Sequence, residues 1–338
     1  MFDKTALIIT SISAPNPVLT ACAEGSRKHG VDFIVIGDVK SPASFDLHGC
    51  DFWSIERQRS MASHLAPMLP ERHYSRKNLG YLLAMGRGAK VIIETDDDNL
   101  PYEKFWEERV SLQRAKLLLN SNWINVYRYF TDTPIWPRGF PLEQVYKSIP
   151  SLDSWNEQEI YCPIQQGLAD DNPDVDAIYR LTMALPQRFS GDTNIALGKG
   201  CWSPFNSQNT TWFHDAFPLL YIPSYCSFRM CDIWRSFVAL RISWANDWGL
   251  LFHGSTVCQD RNDHDLLKDF ADEIPGYLNN GKICEQLATL NIEKGTDNIG
   301  NNLMACYEVF IRLGLIQKGE MKLLDAWLAD VSSHWCPE

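Results

Sequence analysis

The chain opens on a short apolar, β-branched run, Ala6-Leu7-Ile8-Ile9-Thr10, a pattern that predicts a buried strand. Pro17 suits the first turn of a helix running to Lys28, and Gly30 ends it. Val31 to Ile36 predicts a second strand, closed by Gly37-Asp38. A β-α-β unit within forty residues begins a parallel, Rossmann-like sheet. The alternation then resumes. Ser75 is placed to cap a helix to about Gly86, Gly88 stops it, and Val91-Ile92-Ile93-Glu94-Thr95 is again strand-like. Between Thr131 and Leu185, Pro, Gly and Asp break the periodicity. Farther on, Ile233 to Trp244 reads as a helix and Gly249 to His253 as a strand entering a turn at Gly254. After Asn262 the apolar positions, among them Leu266, Phe270, Leu303, Phe310 and Leu324, take helical spacing. The expected fold is α/β: a mixed sheet flanked by helices over residues 1–260, with a helical region over 261–338 packed on it.

Composition adds exclusions. With 338 residues, 45% hydrophobic and 22% charged, the chain can bury a sizeable core. Its formal net charge of -11 and the absence of a basic run argue against nucleic acid as a partner. Ten cysteines contain no C-x-x-C pair, so they read as small buried hydrophobes with reduced thiols rather than a zinc site. No apolar run is long enough to span a bilayer, and Met1-Phe2-Asp3-Lys4 leads directly into a strand. A cytoplasmic protein without a signal peptide is therefore expected, and a homo-oligomer stays open.

The acidic triplet Asp96-Asp97-Asp98 falls at the carboxyl end of the strand Val91–Thr95, where open α/β sheets hold ligands. Adjacent carboxylates repel, so a fold that crowds them needs a cation or a raised pKa. Alternate side chains of an extended segment share a direction, which lets Asp96 and Asp98 converge on Mn2+ or Mg2+ together with phosphate oxygens. His253, after a strand, is a candidate third ligand. Asp232 stands in an apolar, aromatic segment, Cys231-Asp232-Ile233-Trp234; burial would raise its pKa and suit it to act as a base or to hold a sugar hydroxyl. Arg76 and Lys77 begin a helix and could attract phosphate, as could Arg188. Thr10, Ser11 and Asp38 sit at strand ends suited to a nucleoside. Asp97 and Asp192, the latter in the loop Gly191-Asp192-Thr193-Asn194, complete the nucleotide-sugar set. The cluster Arg261-Asn262-Asp263-His264-Asp265 reads as a helix start capped by Asn262 or Asp263 rather than a second metal site.

Several separated motifs, among them Arg76-Lys77-Asn78-Leu79-Gly80-Tyr81, Ile93-Glu94-Thr95-Asp96-Asp97-Asp98, Pro173-Asp174-Val175-Asp176 and Gln259-Asp260-Arg261-Asn262-Asp263-His264-Asp265, resemble the STELLO-like family of plant Golgi proteins and their relatives. A more distant similarity joins Gly37-Asp38, Thr95-Asp96-Asp97-Asp98, Arg138-Gly139-Phe140-Pro141 and Cys231-Asp232-Ile233-Trp234 with Leu251-Phe252-His253 to the reversibly glycosylated polypeptides, the UDP-arabinopyranose mutases. Both resemblances imply a GT-A-like fold, nucleotide contact by Asp38, metal ligation by Asp96, Asp98 and His253, and a substrate-side role for Asp232. Arg138 holds the position of the arginine that becomes glycosylated in the mutases; their second arginine is replaced by Val145.

The reading that follows is a glycosyltransferase: a divalent cation holds the diphosphate of a nucleotide sugar, expected to be a UDP-sugar, while an acceptor hydroxyl, of a glycan or another molecule, attacks the anomeric carbon. The alternatives are a nucleotide-sugar mutase and a non-catalytic scaffold of the same fold.

Overall fold

The computed structural model describes residues 3–191 and 193–335. Strand β1, Thr5–Thr10, leads into helix α1, Pro17–His29, and strand β2, Asp32–Ile36. Asn16 caps α1 through its side chain, and Gly30 closes it at a φ of 70°, a left-handed conformation that suits glycine. A three-residue edge strand, β3 (Asp51–Trp53), and a short helix, α2 (Ile55–Arg59), follow. Helix α3, Lys77–Gly86, then feeds β4, Val91–Thr95. Strands β3, β2, β1 and β4 are parallel in that order, so the predicted opening half of the sheet is present.

The irregular middle of the sequence supplies short strands that broaden this sheet: β5 (Asn99–Pro101), β6 (Leu112–Leu118), β8 (Glu157–Tyr161), β9 (Ile164–Asp170), β10 (Ile195–Leu197) and β12 (Asn209–Phe213). Between them, β7 (Asn122–Trp123) and β11 (Cys201–Trp202) pair separately, and α4 (Ala177–Thr182) packs outside the sheet. Helix α5, Cys231–Ala245, precedes β13, Leu250–Gln259. The main sheet has eleven strands, ordered β3-β2-β1-β4-β12-β9-β13-β10-β6-β8, with β5 on the end of β13. Strand β12 runs antiparallel to both β4 and β9, and β13 is parallel to β9; the carboxyl ends of β1, β2, β4, β9 and β13 therefore share one edge. The fold is mixed α/β with helices flanking a large sheet. The chain ends in α6 (Leu266–Ala288), α7 (Ile299–Arg312) and α8 (Glu320–His334).

Three local expectations fail. Ser75 does not cap α3; it lies inside a single 3-10 turn, Tyr74–Arg76, whose cap is the His73 side chain. Gly254 is not a turn either. Strand β13 passes through it, with a register irregularity between His253 and Val257 that absorbs the glycine. At the helical start near residue 262 the cap is Asp265, which accepts from the backbone N–H of Leu267 and Lys268, rather than Asn262 or Asp263.

Helix α3 must lie close to the sheet to bring its first turn to the tip of β4. Gly80 makes that approach: a Cβ there would stand 2.5 Å from Ile8 Cγ2 on β1 and 3.1 Å from Ile36 Cγ1 on β2. Gly80→Ala is expected to lower stability by about 1–3 kcal/mol through overpacking, more than the roughly 1 kcal/mol of helix propensity it gains. A denaturation midpoint that falls with an unchanged m-value would bear this out; an unchanged or higher midpoint would refute it.

Candidate active site

The shared carboxyl edge of the sheet opens into a pocket of about 750 Å³. Thr10 and Ser11 reach it from β1, Asp38 from the end of β2, and Asp96, Asp97 and Asp98 from the end of β4. Arg76, Arg138 and Asp232 also line it. Residues scattered over more than 220 positions thus converge because strand ends, and the loops that leave them, point the same way.

The acidic triplet is extensively bonded. Asp96 Oδ1 accepts from the Tyr74 hydroxyl at 2.8 Å and from Lys77 Nζ at 3.3 Å. Lys77 is fully buried; its ammonium also donates to Thr95 O and to the Tyr74 hydroxyl, each at 2.7 Å. Asp97 Oδ2 accepts from the Ser11 hydroxyl. Asp98 Oδ1 accepts from Gln259 Nε2 at 3.0 Å, and its Oδ2 from the backbone N–H of Asn262 at 3.3 Å. Burial nevertheless pushes the Asp96 carboxyl up to about 6, and the charge of Asp98 adds to the rise while Lys77 opposes it. Asp98 is raised for the same first reason. Oδ2 of Asp96 has no hydrogen-bond partner among the described residues. Two hard carboxylates with raised pKa values, Asp98 buried and Asp96 half-buried with an oxygen to spare, are a donor set that fits Mg2+ or Mn2+ completed by substrate oxygens. The described protein groups alone do not gather three such ligands at one point.

His253 is not brought to this set. It lies on β13 six residues before Gln259, roughly 20 Å along the strand, and its ring packs against Gly167. Burial and the nearby Arg109 push its imidazole down to about 4. Arg188 is exposed, pairs with Asp171 at 2.9 Å, and does not line the pocket. Asp192 lies outside the described residues. Arg76 turns inward and donates to Gln58 Oε1 at 2.6 Å and to the carbonyl of Leu69. Asp38 uses both carboxylate oxygens on backbone N–H groups, those of Val39 and His73, and so ties the 72–76 segment to the tip of β2.

Asp232 corrects a sequence expectation. Burial does push its carboxyl up, but the guanidinium of Arg138, helped by Arg235 and Arg229, holds it well below the usual carboxylate range. Arg138 forks onto Asp232 at 3.0 and 2.9 Å and onto Asp174 at two distances of 2.8 Å, and it donates to the carbonyl of Arg229. A carboxylate so engaged is a poor proton acceptor, and a guanidinium so engaged cannot act as a nucleophile. The pair is instead joined to the triplet: Asp232 Oδ2 accepts from the Ser207 hydroxyl at 3.2 Å, Ser207 meets Tyr74 at 2.7 Å, and Tyr74 meets Asp96.

Tyr74, Ser207, Asp174 and Gln259 were not singled out individually from the sequence, and Asn262 only as a helix cap. Two signals were available: Asp174 and Gln259–Asn262 both fall in the motifs that carried the family resemblance.

The family model described as STELLO glycosyltransferases matches residues 229–335, which hold α5, β13 and the helices that follow. Two Arabidopsis thaliana proteins, probable glycosyltransferase STELLO2 at 28% identity and probable glycosyltransferase STELLO1 at 27%, each align with 89% of this chain. The chain is thus similar to both proteins over most of its own length. It spans 41% of the length of each of these relatives. Among solved structures, that of S. aureus TarS overlaps 98% of this chain and 48% of its own, but at 10% identity and a TM-score of 0.35 the likeness bears no weight. No described helix is long and apolar enough to cross a membrane.

Lys77 sets the charge at the tip of β4, so its loss should be felt in stability. Lys77→Met leaves Thr95 O and one oxygen of Asp96 without their charged donor and is expected to cost on the order of 2–3 kcal/mol. Urea denaturation would show it; a variant as stable as the parent would mean that Lys77 is not the counter-charge described here.

Proposed function

We propose that this STELLO-like chain is a glycosyltransferase that uses a nucleotide sugar, a UDP-sugar in the first instance, and a divalent cation held by Asp96 and Asp98. What carries the reading is the position of that carboxylate pair: at the mouth of a pocket formed by the carboxyl edge of the sheet, with basic side chains on the facing wall. The cation, Mn2+ or Mg2+, would neutralise the diphosphate and stabilise the departing nucleotide.

The protein's own groups have separable tasks in this reading. Thr10, Ser11 and Asp38 border the space left for the nucleoside at the ends of β1 and β2. Lys77 and Tyr74 orient Asp96, while Gln259 and Asn262 orient Asp98. Asp232 serves as an anchor for a sugar hydroxyl rather than as a base, because Arg138 already holds its charge. The acceptor hydroxyl enters from the wall that carries Arg138. The mutase reading gains nothing from the site: it would ask Arg138 to carry the sugar, and that guanidinium is locked between two carboxylates. A GT-A-like description of the fold belongs to the same proposal.

The test is thermal denaturation with UDP-sugars, with and without Mn2+. A ligand at a hundred times its Kd stabilises by about 2.7 kcal/mol. Asp96→Asn combined with Asp98→Asn is expected to abolish the Mn2+-dependent part of the shift. The same shift in parent and double variant would remove the cation from the account, and ring isomerisation of a UDP-sugar incubated without an acceptor would replace the transferase with a mutase.

A further inference from the structure

The pocket is unusual for so acidic a chain. The net charge is -11, yet eight Lys and Arg side chains line the pocket against seven Asp. Three of the eight cations are paired with carboxylates among the described residues. Arg138 is shared by Asp174 and Asp232, and Arg229 pairs with Glu273 at 2.9 Å. Arg261 pairs with Asp269 through Nη2 at 2.8 Å.

Two guanidinium groups leave donors over. Arg180, in the last turn of α4, donates to Asn172 Oδ1 at 3.3 Å and to Pro173 O at 2.9 Å, both neutral acceptors, and has no ion-pair partner among the described residues. Among the described residues its buried Nε has no acceptor, and Nη1 of Arg261 is likewise buried without a partner. These two side chains face the same pocket and crowd one another: Arg180 is pushed down to about 9 by burial, then by Arg261, with Arg229 adding to the effect and Asp174 opposing it. Folding has gathered positive charge here without completing its hydrogen bonds, an arrangement that a bound oxyanion would complete. A guanidinium presents a planar fork of donors that matches two oxygens of one phosphate or carboxylate.

We infer that Arg180 and Arg261 form an oxyanion subsite, separate from the carboxylates of β4, that takes a phosphate or carboxylate group of the substrate. It extends the reading above to an anionic substrate class and rests on that reading only for the pocket being the substrate site. The two subsites share one strap: Gln259 and Asn262 bond Asp98, and Arg261 between them pairs with Asp269 of α6 and lines the pocket with Arg180. An anion bound there would fix the strap and, through it, Asp98.

Titration calorimetry on the full chain, in chelator and without sulfate, tests this with inorganic phosphate and with glucuronate as probes. The parent is expected to bind at least one of them, and Arg180→Gln to weaken that binding about tenfold or more, the loss of one charge-assisted fork. Asp96→Asn with Asp98→Asn should still bind the probe, whereas Arg180→Gln should keep the Mn2+-dependent shift, so failure of the cation reading and failure of this subsite give different results. Arg180 has no ion pair to lose, which favours a folded variant; Arg180→Lys, which keeps the charge but not the fork, is the second variant and should also bind more weakly. Adding UDP and Mn2+ then assigns the source: displacement of the probe places a donor phosphate in the subsite, and simultaneous binding places an acceptor anion there. No binding of either probe by the parent, or equal affinity in parent and a natively folded Arg180→Gln, would overturn the inference.

Discussion

Three successive carboxylates follow the last residue of β4, and the ammonium of Lys77 is buried beneath them. That arrangement is the constraint on which the pocket depends. A buried ammonium costs several kcal/mol in desolvation unless it is paired and hydrogen-bonded, so Lys77 takes oxygens from Thr95, Tyr74 and Asp96. It offsets about one negative charge of three. The remainder appears as the raised carboxyls of Asp96 and Asp98. In the proposed reading, a pocket lined in this way takes a cation on one wall and an anion beside the arginines of the other.

The scaffold behind the triplet is built to hold it still. Glu94, one residue inside β4, is fully buried and meets Arg235 of α5 at 2.7 Å, Trp212 Nε1 at 2.8 Å and the Tyr81 hydroxyl. Helices α3 and α5, packed on one face of the sheet, are thereby tied to the strand just before the acidic triplet. Removing one partner of such a pair strands the other charge in the core, while the intact cluster contributes rigidity more than net stability. Arg138, Asp174 and Asp232 do the same for the facing wall, and the Ser207–Tyr74 bridge couples the two walls.

The first half of the sheet was legible because its signals are local. Apolar runs of three or four residues mark β1, β2 and β4, and Asp96–Asp98 could be placed at a strand end by chain order alone. Thr10, Ser11 and Asp38 followed from the same logic. What could not be read was anything decided by tertiary pairing. Strands of two to seven residues between Leu112 and Phe213 carry no period long enough to detect, and they complete the sheet only by pairing with distant partners. The pKa of Asp232 depends on Arg138, 94 residues away, which sequence reasoning treated as a separate candidate. His253 looked like a ligand because it ends an apolar run, but the irregularity after it lets β13 continue to Gln259, and that later residue is the one that reaches Asp98. Asn262 was assigned to a helix cap; that task falls to Asp265, which frees Asn262 for the site.

The direct test of the central claim is anomalous diffraction at the manganese edge from crystals of the chain grown with UDP and MnCl2. A peak between the carboxylates of Asp96 and Asp98, shared with diphosphate oxygens, is the result this account requires. A nucleotide bound elsewhere, or bound in this pocket with both carboxylates still facing only Tyr74, Lys77, Gln259 and Asn262, would contradict it.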